Sequence, residues 1–247
     1  MKGIILAGGN GTRLSPLTKV TSKQLLPIYN KPMIYYPLYT LLSAGIKEIL
    51  IIVSNDRPGD FMRLLGSGKE FGAKFTYEIQ DKANGLPEAF VIGEDFMDNE
   101  NVAMILGDNI FEDDFSSAIK NFKSGGKIFV KEVSDPERFG IAEFDNNGNV
   151  IRIEEKPKQP KSNYAITGLY IYDPRVCKFA KELKPTWRPE TDITDLHNKY
   201  LELGELSVEK VSGEWIDAGT FETLFKATEL ARKKFHDMNR WDFIMKK

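Results

Sequence analysis

The chain has 247 residues, with 34 Lys and Arg against 36 Asp and Glu for a formal net charge of −2, a hydrophobic content of 41% and a charged content of 28%. That balance is ordinary for a soluble globular protein long enough to bury one sizeable core, and it lacks the basic footprint of a nucleic-acid binder. The single cysteine, Cys177, excludes an internal disulfide; the two histidines, His197 and His236, are too few for a zinc cluster; and no run approaches transmembrane length. Met1-Lys2-Gly3 leads straight into an apolar run, which leaves no room for a signal peptide, so a cytoplasmic protein is expected.

In chain order, the pattern predicts a strand over 3–7, a helix over 32–44, a strand over 48–53, a helix over 61–65 and a strand over 74–80. A helix over 87–96, a strand over 101–106 and a helix over 114–123 follow. Pro37, inside the first helix, argues for a kink. This alternation specifies an α/β chain with a Rossmann-like, mainly parallel sheet and helices on both faces. From 126 to 171 successive strands take over, with Asp145-Asn146-Asn147-Gly148 as the hairpin turn between strands at 141–144 and 150–154. The chain closes with a helix over 192–203, a strand over 206–211, the segment 215–217 and an amphipathic helix over 221–235. Phe221, Leu224, Phe225, Thr228, Ala231 and Phe235 mark the expected buried face of that last helix. Cys177, between Val176 and Phe179, reads as a core thiol, and Tyr35, Tyr36, Trp241 and Phe243 are candidates for contacts between subunits.

The most informative stretch is Leu6-Ala7-Gly8-Gly9-Asn10-Gly11-Thr12-Arg13-Leu14, followed by Ser22-Lys23-Gln24-Leu25-Leu26-Pro27. A glycine-rich loop after a buried strand lets backbone N–H groups approach an anion, Arg13 can fork onto phosphate oxygens, and Lys23 adds a point charge. A P-loop would need Lys and Ser/Thr directly after its second glycine, and a dinucleotide fingerprint starting at Gly9 and Gly11 fails at Leu14. The same run can equally be a plain turn. Sheets of this class bind ligands beyond the carboxyl ends of their strands, where the glycine loop, Gln80 and Asp108 are expected to meet. Asp108 and Asp217 each follow an apolar run, and two such carboxylates can share Mg²⁺ with substrate phosphates, although an Asp in that position also commonly starts a turn. Lys156 can neutralise a further phosphate and Glu155 can accept from hydroxyl groups, although a charge run at a strand end is more often solvated. Gln80 can pair with a base edge and Gly85 can admit a flat ring, or the two can simply end a strand and make a turn.

Taken in order, the glycine loop, the Ser22–Pro27 run, Leu106-Gly107-Asp108-Asn109, Glu154-Glu155-Lys156-Pro157 and Trp215-Ile216-Asp217-Ala218-Gly219 resemble the sugar-1-phosphate nucleotidyltransferases. Lys31-Pro32-Met33-Ile34-Tyr35-Tyr36-Pro37-Leu38, Asp135-Pro136-Glu137-Arg138-Phe139-Gly140 and Pro160-Lys161-Ser162-Asn163-Tyr164-Ala165 narrow the resemblance to the glucose-1-phosphate thymidylyltransferases. It implies one nucleotidyltransferase domain over 1–247, with a nucleotide-binding half to about 125, a sugar-phosphate half from about 126 to 220 and a C-terminal helix beyond. It implies Mg²⁺-dependent transfer from dTTP, or UTP, to glucose-1-phosphate in a homo-oligomer, a dimer or tetramer, with no nucleic-acid or membrane partner. Carried over by position, Arg13, Lys23 and Lys156 are catalytic, and Asp108 and Asp217 hold the metal. Leu6, Gly8, Gly9, Gly11, Thr12, Gln24, Gln80, Gly85 and Asp108 join Arg13 and Lys23 around the nucleotide. Asn109, Gly140, Glu155, Lys156, Thr167, Tyr170 and Arg188 surround the sugar phosphate.

The chain departs from that pattern at two places. Pro87-Glu88 stands where Ala-Gln is usual and puts a new carboxylate near the nucleoside, and Arg188-Pro189-Glu190 replaces Arg-Gly-Glu. It also ends before the C-terminal helices of the longer thymidylyltransferases, which leaves feedback regulation through a secondary nucleotide site in doubt. The rival readings are a UTP-dependent uridylyltransferase, a non-catalytic subunit that binds nucleotide sugars, and, weakly, a dehydrogenase.

Overall fold

The structure, a computed structural model, describes residues 1–9, 11–184 and 190–235. Its first half contains β1 (Lys2–Ala7), β2 (Pro27–Ile28), β3 (Lys31–Pro32), α1 (Tyr35–Ser43), β4 (Glu48–Ser54), α2 (Pro58–Leu65), β5 (Lys74–Gln80), α3 (Glu88–Ile92), α4 (Glu94–Met97) and β6 (Val102–Leu106). The rest contains β7 (Asn109–Phe111), α5 (Ser116–Asn121), β8 (Gly126–Glu132), β9 (Gly140–Phe144), β10 (Val150–Glu155), β11 (Tyr164–Tyr172), α6 (Val176–Glu182), α7 (Ile193–Glu202), β12 (Leu206–Lys210), β13 (Trp215–Asp217) and α8 (Phe221–Lys234).

Among the described residues, nine strands join one mixed sheet. β6, β1, β4 and β5 lie side by side and parallel, and β11 runs antiparallel against β6. β1 and β4 are apolar almost throughout because both of their faces are covered, as a parallel sheet requires. One core packs Leu38, Leu41, Phe61, Ile119 and Leu230 against one face of the sheet; the other packs Phe90, Val176, Phe179, Leu196 and Tyr200 against the opposite face. Helices therefore cover both faces, as the alternating pattern predicts.

β11 joins the two halves. Its residues Leu169–Tyr172 pair with β6, while Ala165 pairs with Ile141 of β9, so β11 exchanges neighbours partway along. Its pairing with β8 is also irregular between Ile166 and Tyr170. This break opens the sheet at Thr167 and Gly168, beside the carboxyl end of β6.

Some expectations shift. The helix expected over 32–44 begins only at Tyr35, which puts Pro37 in the first turn, where backbone N–H groups have no intrahelical acceptor and no kink is required. Tyr36 is core rather than surface: it is buried, and its hydroxyl donates to the Ile28 carbonyl at 2.8 Å. Tyr35 is partly buried and meets Phe71 edge to face. Trp241, Phe243 and His236 lie outside the described residues. The helix expected over 87–96 divides at Gly93, where a Cβ would sit 3.0 Å from the Leu50 side chain and 3.1 Å from the Ala89 carbonyl oxygen. α6 was not anticipated. It buries Cys177, whose thiol donates to the Phe90 carbonyl and is pushed up to about 11 by burial.

α8 is present, capped by reciprocal hydrogen bonds between Thr220 and Thr223, but its buried stripe differs from the expected one. Ala227, Leu230, Ala231 and Phe235 face the core and Leu224 packs partly against it, whereas Phe221 and Phe225 are 44% and 65% exposed. Thr228 is half-buried and donates to the Leu224 carbonyl. The helix packs on β2 and β13, and its buried face there is formed by small and aliphatic residues and not by the aromatic side chains at 221 and 225. Leu230→Ala is therefore expected to lower unfolding stability by about 2–3 kcal/mol and Phe225→Ala by no more than about 0.5 kcal/mol, read from urea midpoints. Equal losses would return Phe225 to the buried face.

Candidate active site

The parallel strands β1, β5 and β6 end at Ala7, Gln80 and Leu106 on one edge of the sheet, and a cavity of about 340 Å³ opens there. Leu6, Gly8, Gly9, Thr12, Lys23, Gln24, Gln80, Gly85 and Asp108 line it, all of them expected around the nucleotide. Gly9 has φ +99, in the left-handed region that favours glycine. Gly8 leaves room for Gln80, whose Oε1 would stand 2.7 Å from a Cβ there. Gln24 is buried and donates from Nε2 to the Gly8 carbonyl at 3.2 Å, which ties the loop to the turn that carries Lys23.

Two expected members stand outside that lining. Gly11, with φ +57, shapes the loop: Thr18 donates to its carbonyl, and a Cβ would meet the Thr18 methyl at 2.8 Å. Arg13 is exposed, and its Nη2 would lie 2.8 Å from a Cβ on Gly219, so its guanidinium stands beside Asp217. Gly85 does line the cavity, but its need for glycine has another cause. Its φ is +110, and a Cβ would come within 2.0 Å of the Thr191 carbonyl oxygen, to which the chain is bridged.

Asp108 and Asp217 meet because β13 pairs antiparallel with β7. Asp217 faces Asn109, and the Ala218 N–H donates to the Asp108 carbonyl at 2.9 Å. Lys23 Nζ donates to Asp108 Oδ2 in a very short ion pair, and Asn109 Nδ2 donates to Oδ1 at 3.0 Å. Burial favours neutral Asp108, but the Lys23 ammonium overrides it and holds the carboxyl below its ordinary range. The same pair raises Lys23, against the lowering effect of burial. Asp217 has no such partner: burial and the adjacent Asp108 charge push its carboxyl up to about 6, against the pull of Lys23, Arg13 and Arg138. Among the described residues its buried Oδ1 accepts no hydrogen bond. No three His, Cys, Asp or Glu side chains among the described residues form a metal cage, but two carboxylates, one with an orphaned oxygen, suit a divalent cation that takes its other ligands from phosphate and water.

A second cavity of about 150 Å³ lies beyond Asp217, at the break in β11. Asn109, Gly140, Glu155, Lys156, Thr167 and Tyr170 line it, as expected for the sugar phosphate; Arg188 lies outside the described residues. Gly140 leaves room for Glu155 and Thr194, since a Cβ would stand 3.2 Å from Glu155 Oε2 and 2.8 Å from the Thr194 methyl. Lys156 has φ +43, held there by its N–H donating to the Phe139 carbonyl, and its Nζ sits 3.3 Å from Glu155 Oε1. Asn109 is a buried hub: its Oδ1 accepts from Trp215 Nε1 at 2.6 Å and from the Gly168 N–H at 3.0 Å. Thr167 turns its own hydroxyl to the Phe129 carbonyl.

The motifs did not single out Leu86, Leu106, Arg138, Thr194 and Trp215 as site residues, although Leu106, Arg138 and Trp215 sit inside quoted motifs. Arg138 adds a cation at the rim, bonded to Asp135 at 2.6 Å. Leu86 and Leu106 border both cavities, so the two sites share an apolar wall next to the carboxylate pair. A larger cavity of about 630 Å³, between α4 and α6, touches none of these residues.

This arrangement, a glycine loop and a carboxylate pair between two adjoining cavities on an α/β sheet, is that of a nucleotidyl-transferring enzyme. Residues 2–234 match the nucleotidyl transferase family, and the chain belongs to that family. Its relatives include the glucose-1-phosphate thymidylyltransferase of Neisseria gonorrhoeae, 51% identical over 238 residues that cover 94% of this chain and 83% of that protein. The enzyme of the same name from Mycolicibacterium smegmatis is 48% identical over 237 residues, covering 94% of this chain and 82% of that protein. Among solved structures, a Bacillus anthracis protein provisionally named glucose-1-phosphate thymidylyltransferase, in complex with sucrose, superimposes with a TM-score of 0.91 at 50% identity, covering 97% of this chain and 96% of that one. A UDP-glucose pyrophosphorylase complexed with UDP-glucose superimposes with a TM-score of 0.81 at 25% identity, covering 94% and 98%.

Asp217 titrates in the folded protein near 6, above its ordinary 3.8, so its neutral form favours the fold at low pH and that contribution is lost as pH rises through 6. Asp217→Asn, which keeps the neutral state, is expected to melt about 2–6 °C above the wild type at pH 7.5 in metal-free buffer, the gap closing as pH falls toward 4. A lower melting temperature at pH 7.5 would mean that Asp217 is not held at an electrostatic cost.

Proposed function

We propose that the chain transfers a thymidylyl group from dTTP to α-D-glucose-1-phosphate, giving dTDP-glucose and pyrophosphate, with Mg²⁺ held by Asp108 and Asp217. The carrying observation is that the carboxylate pair stands where the two cavities meet, Asp108 lining the nucleotide side and Asp217 the sugar side. Relatives named for this reaction, at 48–51% identity over nearly the whole chain, support dTTP over UTP; the UDP-glucose enzyme is at 25%.

The chemistry asks little of the protein beyond position and charge. A phosphate oxygen of the sugar phosphate attacks the α-phosphorus of dTTP, the bond from that phosphorus to the bridging oxygen breaks, and pyrophosphate leaves carrying that oxygen. The nucleophile is already anionic, so no general base is needed, and the barrier lies in bringing two anions together in line. Gly8 and Gly9 offer backbone to the triphosphate, Lys23 and Arg13 neutralise the departing pyrophosphate, and Lys156 draws the sugar phosphate toward the α-phosphate. Mg²⁺, when bound, would polarise the phosphoryl oxygens. Gln80 reads the base, Gly140 and Glu155 shape the sugar pocket with Asn109, Thr167 and Tyr170, and Arg188 grips the sugar phosphate. In this reading the chain is one nucleotidyltransferase domain, cytoplasmic and homo-oligomeric. No helix among the described residues is long and apolar enough to cross a membrane.

The test is pyrophosphate release with Mg²⁺ and α-D-glucose-1-phosphate against dTTP, UTP, CTP, ATP and GTP taken singly. The expected outcome is a preference for dTTP; a preference for UTP would keep the mechanism and change the product, and silence with all five would overturn the reading. Lys156→Ala is expected to fold normally and to lose ~10²–10³ in turnover, as removal of one preorganised charge-stabilising group does. Near-normal turnover in folded Lys156→Ala would remove Lys156 from the mechanism.

A further inference from the structure

Trp215 and Asp217 are two residues apart on β13, so their side chains leave the strand on one face, and the antiparallel register sets Asp217 opposite Asn109 of β7. Trp215 therefore stands diagonal to Asn109, within reach of a long aromatic side chain, and its Nε1 donates to Asn109 Oδ1 at 2.6 Å. The Gly168 N–H donates to the same oxygen at 3.0 Å. An indole and a backbone N–H can only donate, so the Asn109 amide is fixed with its oxygen toward them and its NH₂ toward Asp108, whose Oδ1 accepts from Nδ2 at 3.0 Å. Turned over, the amide would set its NH₂ against two donors and its oxygen against a carboxylate. Asn109 is only 2% exposed, which shields these bonds from water. Asp108 is thereby held at both oxygens, Oδ1 by Asn109 and Oδ2 by Lys23, and the carboxylate cannot turn about its Cβ–Cγ bond without losing one of the two. Each oxygen keeps a lone pair for a cation.

We propose that Trp215 is a positioning residue that acts through Asn109: its indole N–H fixes the Asn109 amide on Asp108 Oδ1 and so aims that carboxylate at a divalent cation shared with Asp217. The inference rests on the reading of Asp108 and Asp217 as the metal pair, and it adds the group that orients one of them. The Trp215 ring also lines the sugar cavity, but the positioning belongs to the N–H alone. The two are separable, because Phe139 packs against the ring, centroid to centroid at 5.3 Å, independently of the N–H. Without the N–H, Asn109 Oδ1 keeps only the Gly168 bond, the amide can swing, and Asp108 meets the cation less well aligned. A hydrogen-bond partner directly behind a metal ligand is typically worth ~10–100-fold in metal affinity. Trp215 stands one bond further back, so the low end of that range is expected.

The test titrates Mn²⁺ into the full chain with dTTP held below the protein concentration and no sugar phosphate, and reads bound metal from the electron paramagnetic resonance signal. Asp217→Asn marks the part of that signal that belongs to this pair. Trp215→Phe is expected to weaken Mn²⁺ binding there by ~10-fold. In turnover, kcat at limiting Mg²⁺ should fall by a similar factor and return to within ~2-fold of the wild type at saturating Mg²⁺, with KM for glucose-1-phosphate changed less than ~3-fold. Site-specific replacement of Trp215 by its benzothiophene analogue, which keeps both fused rings and lacks the N–H, should reproduce the metal defect, and it serves if Trp215→Phe does not fold. Unchanged Mn²⁺ affinity in both variants would overturn the role of the N–H, as would a defect in Trp215→Phe that the benzothiophene analogue does not share, since that would trace it to ring packing. Mn²⁺ binding that depends on Trp215, in a protein that releases no pyrophosphate, would overturn the transfer reaction and not the positioning. Absence of any Mn²⁺ signal sensitive to Asp217→Asn would overturn the metal pair and the positioning together.

Discussion

Two carboxylates side by side in a buried place repel each other, and the organisation of this molecule follows from how that repulsion is contained. Asp108 is neutralised by Lys23; Asp217 is left with a buried oxygen that nothing described satisfies. An unsatisfied buried polar atom is destabilising by about 1–3 kcal/mol. The fold tolerates it because the β7 and β13 pairing, the Ala218 N–H on the Asp108 carbonyl and the Asn109 hub leave Asp217 no other position. The carboxylate pair is short of positive charge at Asp217, and a divalent cation shared by the two would meet that need. The same group that weakens the apoprotein is poised for the reaction proposed for it.

The sheet explains why the two halves can share this centre. Parallel β1, β5 and β6 bring the glycine loop, Gln80 and Asp108 to one edge, and β11, by exchanging β6 for β9 partway along, carries Thr167, Gly168 and Tyr170 to the same place from the opposite direction. Gly168 marks a tight approach there: a Cβ would lie 2.5 Å from the Asn109 side chain. The two cavities thereby share the wall of Leu86 and Leu106.

Much of this was legible in the sequence because it is written locally. The strand and glycine loop at Ile4–Leu14, the Asp after β6 and the turn at Asp145–Gly148 each depend on neighbours in sequence, and the order of the motifs carried the family resemblance. What was not legible depends on distant partners. The face of α8 is chosen by its packing on β2 and β13, distant in sequence, and not by its larger aromatics. The glycine at 85 is required by Thr191, far along the chain, in addition to its place in the cavity wall. Glu88 reads as an intrusion until its partners Gln80 and Asn84 are seen, and Thr194 becomes a site residue only through Gly140. His197 is similar: fully buried, it takes the Tyr172 hydroxyl at 2.6 Å on Nδ1 and is pushed down to about 3 by burial, a core histidine no local pattern distinguishes.

In the proposed reaction both substrates occupy adjoining cavities and react directly across the carboxylate pair, with no covalent nucleotide carried by the protein. The direct measurement is the stereochemical course at the α-phosphorus, followed with one diastereomer of dTTP that bears sulfur on that phosphorus. A single in-line displacement gives inversion of configuration. Retention would require two displacements and a nucleotidylated side chain, and would contradict the account.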